Sequence, residues 1–220
     1  MITKYLLCCQ NWQKMNNIKN ILFLGYGEEQ TGIINFLRSR EYAVTHCNQG
    51  QKLNLNDIRS INPDLIISYG YKIILTKDIT SFYKNRIINL HISYLPWNRG
   101  MHPNFWSFFD NTPKGITIHF IDSAVDTGDI IFQKEVVFTE NENTLQKTYN
   151  ILRQEMENLF IVNWDNFIRG KYKRIVQNKN EGSKHYAKDI EKHWFLMPMK
   201  WETEIEIVRN LKRKEANEED

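Results

Sequence analysis

Cysteine is scarce in this chain, and what there is falls in no useful pattern. Cys8, Cys9 and Cys47 are the three among 220 residues, with no CxxC pair. An odd count without pairing spacing argues against a disulfide framework and fits reduced thiols in a cytosolic protein. Long apolar runs are lacking too. The opening MITKYLLCCQNWQ is too short for a signal core, and no run approaches a membrane span. Excess charge of one sign is also missing: a formal net of +3 makes a weak case for nucleic acid. Neither HExxH nor CxxC spacing occurs, so His91, His102, His119 and the aspartates carry no zinc signature and no metal is expected. No GxSxG is present, which removes the nucleophile elbow of a Ser-His-Asp hydrolase.

What is present reads as a globular chain. The length suits one large domain with a small appendage, and a charged share of 25% is ordinary for such a domain. Aromatics at 13% supply rings for a core or for stacking. IKNILFLGYG, Ile18 to Gly27, is an apolar run closed by glycines, the pattern of a buried parallel strand and its turn. EEQTGIINFLRSR follows as a helix, with acidic residues expected in its first turn. YAVTHC, then LIISY after a short helix and a Pro-Asp break, then RIINLHIS, continue the alternation. Strands alternating with helices imply an α/β fold: a Rossmann-like, mostly parallel sheet with helices on both faces.

After Gly115 the pattern changes. GITIHFI and DIIFQKEVVF read as a hairpin-type pair separated by the loop DSAVDTG. A long helix follows, with Asn143, Thr144 or Glu142 as its N-cap and Gly170 as its stop. The last fifty residues are polar and mixed, and KRKEANEED reads as a frayed tail. The division expected is an extension over 1–17, with an edge strand from Tyr5 to Cys9, a body over 18–170, and a C-terminal extension over 171–220.

Two places carry chemistry. GYGEEQTG has the strand-turn-helix setting of a ligand loop, but the third glycine of GxGxxG would fall at Gln30. Glu28 and Glu29 stand where a phosphate would sit. Like charges at about 4 Å repel by about 1 kcal/mol even in water, so a tight turn is the better reading. The second place is the end of RIINLHIS. Asn89 and His91 are two apart on a strand and so share a face. A lone strand histidine is more often a packing residue, but this pair sits at a carboxyl end, where open α/β sheets bind ligands. SYLPWNRGMHPNFW, which follows, reads as a loop rich in polar and aromatic groups. Asp126, in the loop closed by Gly128, could fix the His91 tautomer and raise its pKa. Asn89 and a protonated His91 would then be donors for an oxyanion, as acyl transfer to an amine requires.

Taken together, NLHISYLPWNRG, PNFW, GITIHFID and VDTGDIIFQ resemble the 10-formyltetrahydrofolate-dependent formyltransferase family. The match runs from Ile21 to Gln133. It implies Asn89, His91 and Asp126 as the catalytic trio and 10-formyltetrahydrofolate as cosubstrate. It also implies a pterin held by Gly70, Tyr71, Ile73, Ile74, Leu75 and the loop at Ile121 and Asp122. Among acceptors, the resemblance is greatest to the nucleotide-sugar group, whose terminal segments are similar to EGSKHYAKDI and MPMKWETEIEIV. The usual Trp-Asp-Thr-Pro departs here to Trp201, Glu202, Thr203 and Glu204. The acceptor implied is a dTDP-linked 4-amino-4,6-dideoxyhexose, made for a surface polysaccharide such as a lipopolysaccharide O-antigen. Lys72, Asn98 and Arg99 are the substrate-binding candidates, with Arg99 alternatively locking its loop. The same resemblance implies a cytoplasmic homodimer joined through C-terminal elements, without nucleic-acid or membrane partners. Methionyl-tRNA, glycinamide ribonucleotide and a non-catalytic folate- or nucleotide-binding member are the competing readings.

Overall fold

The computed structural model describes residues 18–218 except 179 and 198, with side chains described as far as Arg213. The edge strand expected from Tyr5 to Cys9 lies outside the described residues, as do Cys8 and Cys9. Strands β1 (Asn20–Gly25), β2 (Ala43–Asn48), β3 (Leu65–Tyr69) and β4 (Ile87–His91) pair in parallel. Next in chain order come the short β5 (Arg99–Gly100), then β6 (Gly115–Phe120) and β7 (Ile130–Glu135). The main sheet has six strands in the order β2-β1-β3-β4-β6-β7, and β6 and β7 run antiparallel as the hairpin pattern implies.

Alternation along the central strands builds two cores. Ile21, Phe23, Leu65, Ile67, Ile88, Leu90, Ile116 and Ile118 face one way. They are covered by α1 (Ile33–Ser39) and by α5 (Leu145–Ile168). The α5 residues Leu152, Met156, Phe160, Trp164 and Phe167 recur every three or four positions, so they form one stripe laid on that face. Leu22, Leu24, Ile66 and Ile87 face the other way, under Ile58 of α2 (Leu55–Ile61) and Ile79 of α3 (Lys77–Phe82). Both faces are therefore covered at β1 and β3.

Three local expectations are corrected. Glu28 and Glu29 do not start a helix: α1 begins at Ile33 with Gly32 as its N-cap and no acidic residue in its first turn. Glu28 instead pairs with Arg38, and the Gly32 amide donates to Glu157 of α5 at 3.0 Å. A carboxylate thus takes the amide that a phosphate would seek. The segment after Arg99 is not all loop, because Pro103 at the first helical position opens α4 (Pro103–Phe109). The segment read as a frayed tail is helical as far as Glu218, its last two residues lying outside the described ones. After the short α6 (Glu191–Trp194), helix α7 (Ile205–Glu218) buries Ile205, Val208 and Leu211 against Phe105, Trp106, Phe108 and Phe109 of α4. Each such buried side chain contributes about 1.5–3 kcal/mol, which outweighs the polar composition of the rest of the segment. Of the three N-cap candidates for α5, Thr144 holds the position, its hydroxyl accepting from the Lys147 amide at 3.2 Å. Gly170 follows the helix end in the left-handed region, with φ 64°.

Before α7 the chain comes back to the sheet. Ile175 bridges Ile130, and β8 (Lys184–His185) pairs in parallel with β5. Residues 175–178 and 180–185 thereby lie against the loops that follow β4 and β6.

Candidate active site

Strand register assembles the site. Asn89 and His91 share the β4 face opposite Ile88 and Leu90. Across the antiparallel pair His119 stands directly opposite Asn89, and Thr117 opposite His91. The polar groups therefore occupy the face that α2 and α3 cover farther along the sheet. Here two loops, 92–102 and 121–129, replace a helix. The apolar strand thus ends in an amide and an imidazole that bond to these loops, Asn89 to Asp126 and His91 to Asn98.

Asp126 closes the cluster from the second loop. Its Oδ1 accepts from Asn89 Nδ2 at 3.2 Å and lies 3.4 Å from His119 Nε2. Its Oδ2 accepts from the Gly100 amide at 2.8 Å and lies 3.7 Å from His91 Nε2. Asn89, His91 and Asp126 are thus brought together as expected. His119 is the group that motif reading left out of the trio. It is 1% exposed, its Nδ1 donates to the Phe120 carbonyl at 2.8 Å, and its Nε2 is left to accept from Asn89 Nδ2 at 3.3 Å. The signal was available in ITIHF: with Ile116 and Ile118 inward, Thr117 and His119 must share the opposite face.

The electrostatics differ from expectation. His91 Nε2 donates to the Asn98 carbonyl at 3.2 Å, so a neutral ring carries its lone pair on Nδ1. Burial lowers the His91 pKa and outweighs the lift from Asp126, so the raised value expected is not found. For Asp126, burial is again the largest influence and favours the acid. Even so, the two histidines, when charged, and the Gly100 amide hold its carboxyl well below the usual range. A neutral His91 offers Asp126 no charge. At neutral pH the depression therefore rests on the donated hydrogen bonds, and the pair stands as carboxylate beside neutral imidazole. Such a ring is a proton acceptor rather than an oxyanion donor.

Two substrate-binding candidates, Asn98 and Arg99, are built into the framework of the loop. Asn98 is fully buried. Its Nδ2 donates to Thr112 Oγ1 at 2.7 Å, and its Oδ1 and amide both engage Ser183 Oγ. Arg99 is buried as well, with Nε and Nη2 on Gln177 Oε1 at 3.2 and 3.0 Å, Nη1 on the Glu181 carbonyl and Nη2 also on that of Asn178. Most of their donors and acceptors are thereby committed to the protein, with one hydrogen of Asn98 Nδ2 and one of Arg99 Nη1 left over. Arg99 takes the alternative role and locks its loop. Gln177, which sequence reading passed over, reaches on from Arg99 to the carbonyls of Asp126 and Gly128 at 2.9 and 2.7 Å.

The segment after β3 borders the same sheet face. Gly70 adopts φ 72°, and a Cβ there would meet the Tyr26 ring at 2.4 Å, so glycine is required. Tyr71, Leu75 and Ile121 pack on one apolar cluster, which joins this segment to the loop of Asp126. Ile73 is half-buried and Ile74 is 75% exposed, leaving an apolar surface toward solvent. Lys72 is exposed, with its amide on the Gln49 carbonyl. Asp122 is engaged within its own loop, Oδ1 accepting from the Ala124 amide and the Thr127 hydroxyl.

Comparison with known proteins bears on this centre. A family model described as formyl transferase matches residues 24–163, a span that includes Asn89, His91, His119 and Asp126. The chain belongs to the formyl transferase family. Among solved structures, the formyltransferase PseJ from Anoxybacillus kamchatkensis is 46% identical, with a TM-score of 0.80 over 86% of this chain and 97% of that one. It was crystallised with UDP-4,6-dideoxy-4-formamido-L-AltNAc and tetrahydrofolate. A 4-N formyltransferase from Francisella tularensis shares the fold at 22% identity and TM-score 0.61, covering 79% of this chain and 78% of that one. Methionyl-tRNA formyltransferase of Clostridium beijerinckii is 31% identical over 160 residues, 72% of this chain and 50% of the relative. The chain spans about half the length of the curated relatives it matches. In this formyl transferase, no helix among the described residues is long and apolar enough to cross a membrane.

Proposed function

We propose that the chain is a sugar N-formyltransferase. It moves the formyl group of 10-formyltetrahydrofolate to the amine of a nucleotide-linked 4-amino-4,6-dideoxyhexose in the synthesis of a surface polysaccharide. The observation that carries this reading is the joint one of 46% identity to PseJ, spanning 97% of that chain, and the convergence of Asn89, His91, His119 and Asp126. PseJ holds a UDP-linked product, which weighs UDP above the dTDP that the sequence resemblance implied.

The chemistry follows from the donors and acceptors present. The sugar amine attacks the formyl carbon, a C–N bond forms, and negative charge gathers on the formyl oxygen. Both hydrogens of Asn89 Nδ2 are held in contacts of 3.2 and 3.3 Å, longer than the usual 2.9–3.0 Å. The oxyanion takes one of them, and such a donor is worth about 2.7–4 kcal/mol of transition-state stabilisation. Neutral His91 receives the proton from the nitrogen, and Asp126 stabilises the imidazolium that forms. Collapse then breaks the bond to the folate nitrogen, which leaves with a proton. The flat heterocycle of the folate lies against the Gly70 to Leu75 segment and Ile121, whose shared apolar packing fits such a ring. The exposed Lys72 meets the diphosphate as a point charge. Phe195, Leu196 and Met199, at 91%, 55% and 64% exposure, support the homodimer through C-terminal elements.

The test is incubation with 10-formyltetrahydrofolate and a panel of UDP- and dTDP-linked amino sugars, read by mass gain of a formyl group. Formylation of the UDP-linked 4-amino sugar is expected, in a cytosolic extract as with the pure protein. The names of the curated relatives favour a second acceptor, charged initiator tRNA. Its formylation in place of any sugar overturns the proposal.

A further inference from the structure

We infer that Gln177 is a positioning residue for formyl transfer, and that its carboxamide holds Asp126 at the reacting centre. The inference rests on reading this centre as catalytic. Asp126 has φ 54°, a left-handed turn position that aspartate adopts more readily than most residues, and it is the carbonyl exposed by this turn that needs a partner. The loop's internal bonds run through Asp122 and leave the Asp126 carbonyl without a partner from the loop itself. Gln177 supplies that partner.

One side chain spans two loops. Gln177 Nε2 uses both hydrogens, one on the Asp126 carbonyl at 2.9 Å and one on that of Gly128 at 2.7 Å. Gln177 Oε1 accepts twice from the Arg99 guanidinium. Arg99 precedes Gly100, whose amide donates to Asp126 Oδ2. The chain Arg99, Gln177, Asp126, Gly100 thus closes on itself around the carboxylate. Only a primary amide meets both ends: one oxygen with two lone pairs for a cation on one side and two N–H donors for carbonyls on the other. Gln177 is itself 6% exposed and touches no reacting group, so it acts through Asp126.

Gln177→Glu separates the two ends. It keeps an acceptor for Arg99 but sets a carboxylate oxygen against two carbonyls. The expected result is a folded protein with kcat lowered by about 10²-fold, the loss that a displacement of about 1 Å brings, and KM for the amino sugar within about threefold of the parent. The His91 titration, followed by NMR of ring-labelled protein, should move down, because the carboxylate that lifts it is displaced. Parent kcat and an unmoved His91 titration in folded Gln177→Glu overturn the inference, leaving Gln177 as an anchor for Arg99 alone. Should that variant fail to fold, Gln177→Asn, with the same donors on a shorter stem, takes its place with the same two readouts. If the parent formylates no acceptor, the functional reading fails, and the His91 titration still decides the role of Gln177.

Discussion

Replacing Asp126 by asparagine tests the centre at its most constrained point. The two carboxylate oxygens face donors on both sides: the Gly100 amide at 2.8 Å and Asn89 Nδ2 at 3.2 Å. An amide can satisfy one side only. The shorter contact decides, so the new oxygen turns to Gly100 and the new NH2 faces the NH2 of Asn89. Asn89 is then displaced, and one charge-assisted bond, worth about 1.5–3 kcal/mol, is lost. At about 2–4 °C per kcal/mol for a domain of this size, the melting temperature should fall by about 4–8 °C for a loss near 2 kcal/mol. Catalysis should suffer more, because the stabiliser of the His91 imidazolium goes as well. A loss of about 10²–10⁴ in kcat is expected, the range for a positioned acid–base group. The His91 titration should also move further down, since Asp126 is the group that raises it against burial. Steady-state kinetics with the preferred amino sugar, a thermal melt and histidine NMR give the three numbers. An Asp126→Asn enzyme that keeps kcat within about threefold, or whose His91 titrates higher than in the parent, would refute the assignment of charge and roles.

Acid should destabilise the fold in two stages. Burial holds the folded His91 pKa below the usual 6.5, so the unfolded chain binds a proton that the folded one refuses, and stability falls as pH drops through and below that point. Asp126 is depressed below 3.8, so its contribution, present above that value, is lost on further acidification. Urea unfolding across pH 3 to 8 should show both, and His91→Asn should flatten the upper stage. Gly128→Ala places a Cβ 1.8 Å from the Phe120 carbonyl oxygen, so the loop must shift. A cost of about 3 kcal/mol or more is expected, checked by the same unfolding assay. Lys72→Ala should raise KM for the nucleotide sugar about tenfold with kcat unchanged, as for a group that holds substrate and transition state alike, and an unchanged KM removes Lys72 from the diphosphate site.

Much of this architecture was legible because apolar alternation is a local signal. The parallel strands, the hairpin of β6 and β7, the stripe of α5 and its stop at Gly170 all follow from spacing within short segments. The meeting of Asn89, His91 and Asp126 was legible through motif resemblance. His119 was hidden by a matter of register: only the pairing of β4 with β6 sets it opposite Asn89. The His91 pKa was misjudged because a neighbouring carboxylate can be guessed from sequence, whereas the degree of burial that outweighs it cannot. Asn98 and Arg99 read as ligand groups because polar loop residues usually face solvent. Their partners, Ser183 and Gln177, lie about eighty residues away, and no local pattern announces them. The helical tail was missed for the same reason, since its stabilising contacts with α4 are tertiary.

The return of the chain after Ile175 to the loops that follow β4 and β6 has a practical corollary. A polypeptide cut near Gly170 would leave the amide, imidazole and carboxylate on one fragment, and the glutamine and serine that brace them on the other. Fused to two interacting partners, such halves would make formylation a reporter of the partners' encounter. Any chimaera that borrows a foreign acceptor specificity must import this returning stretch along with the loops it fastens.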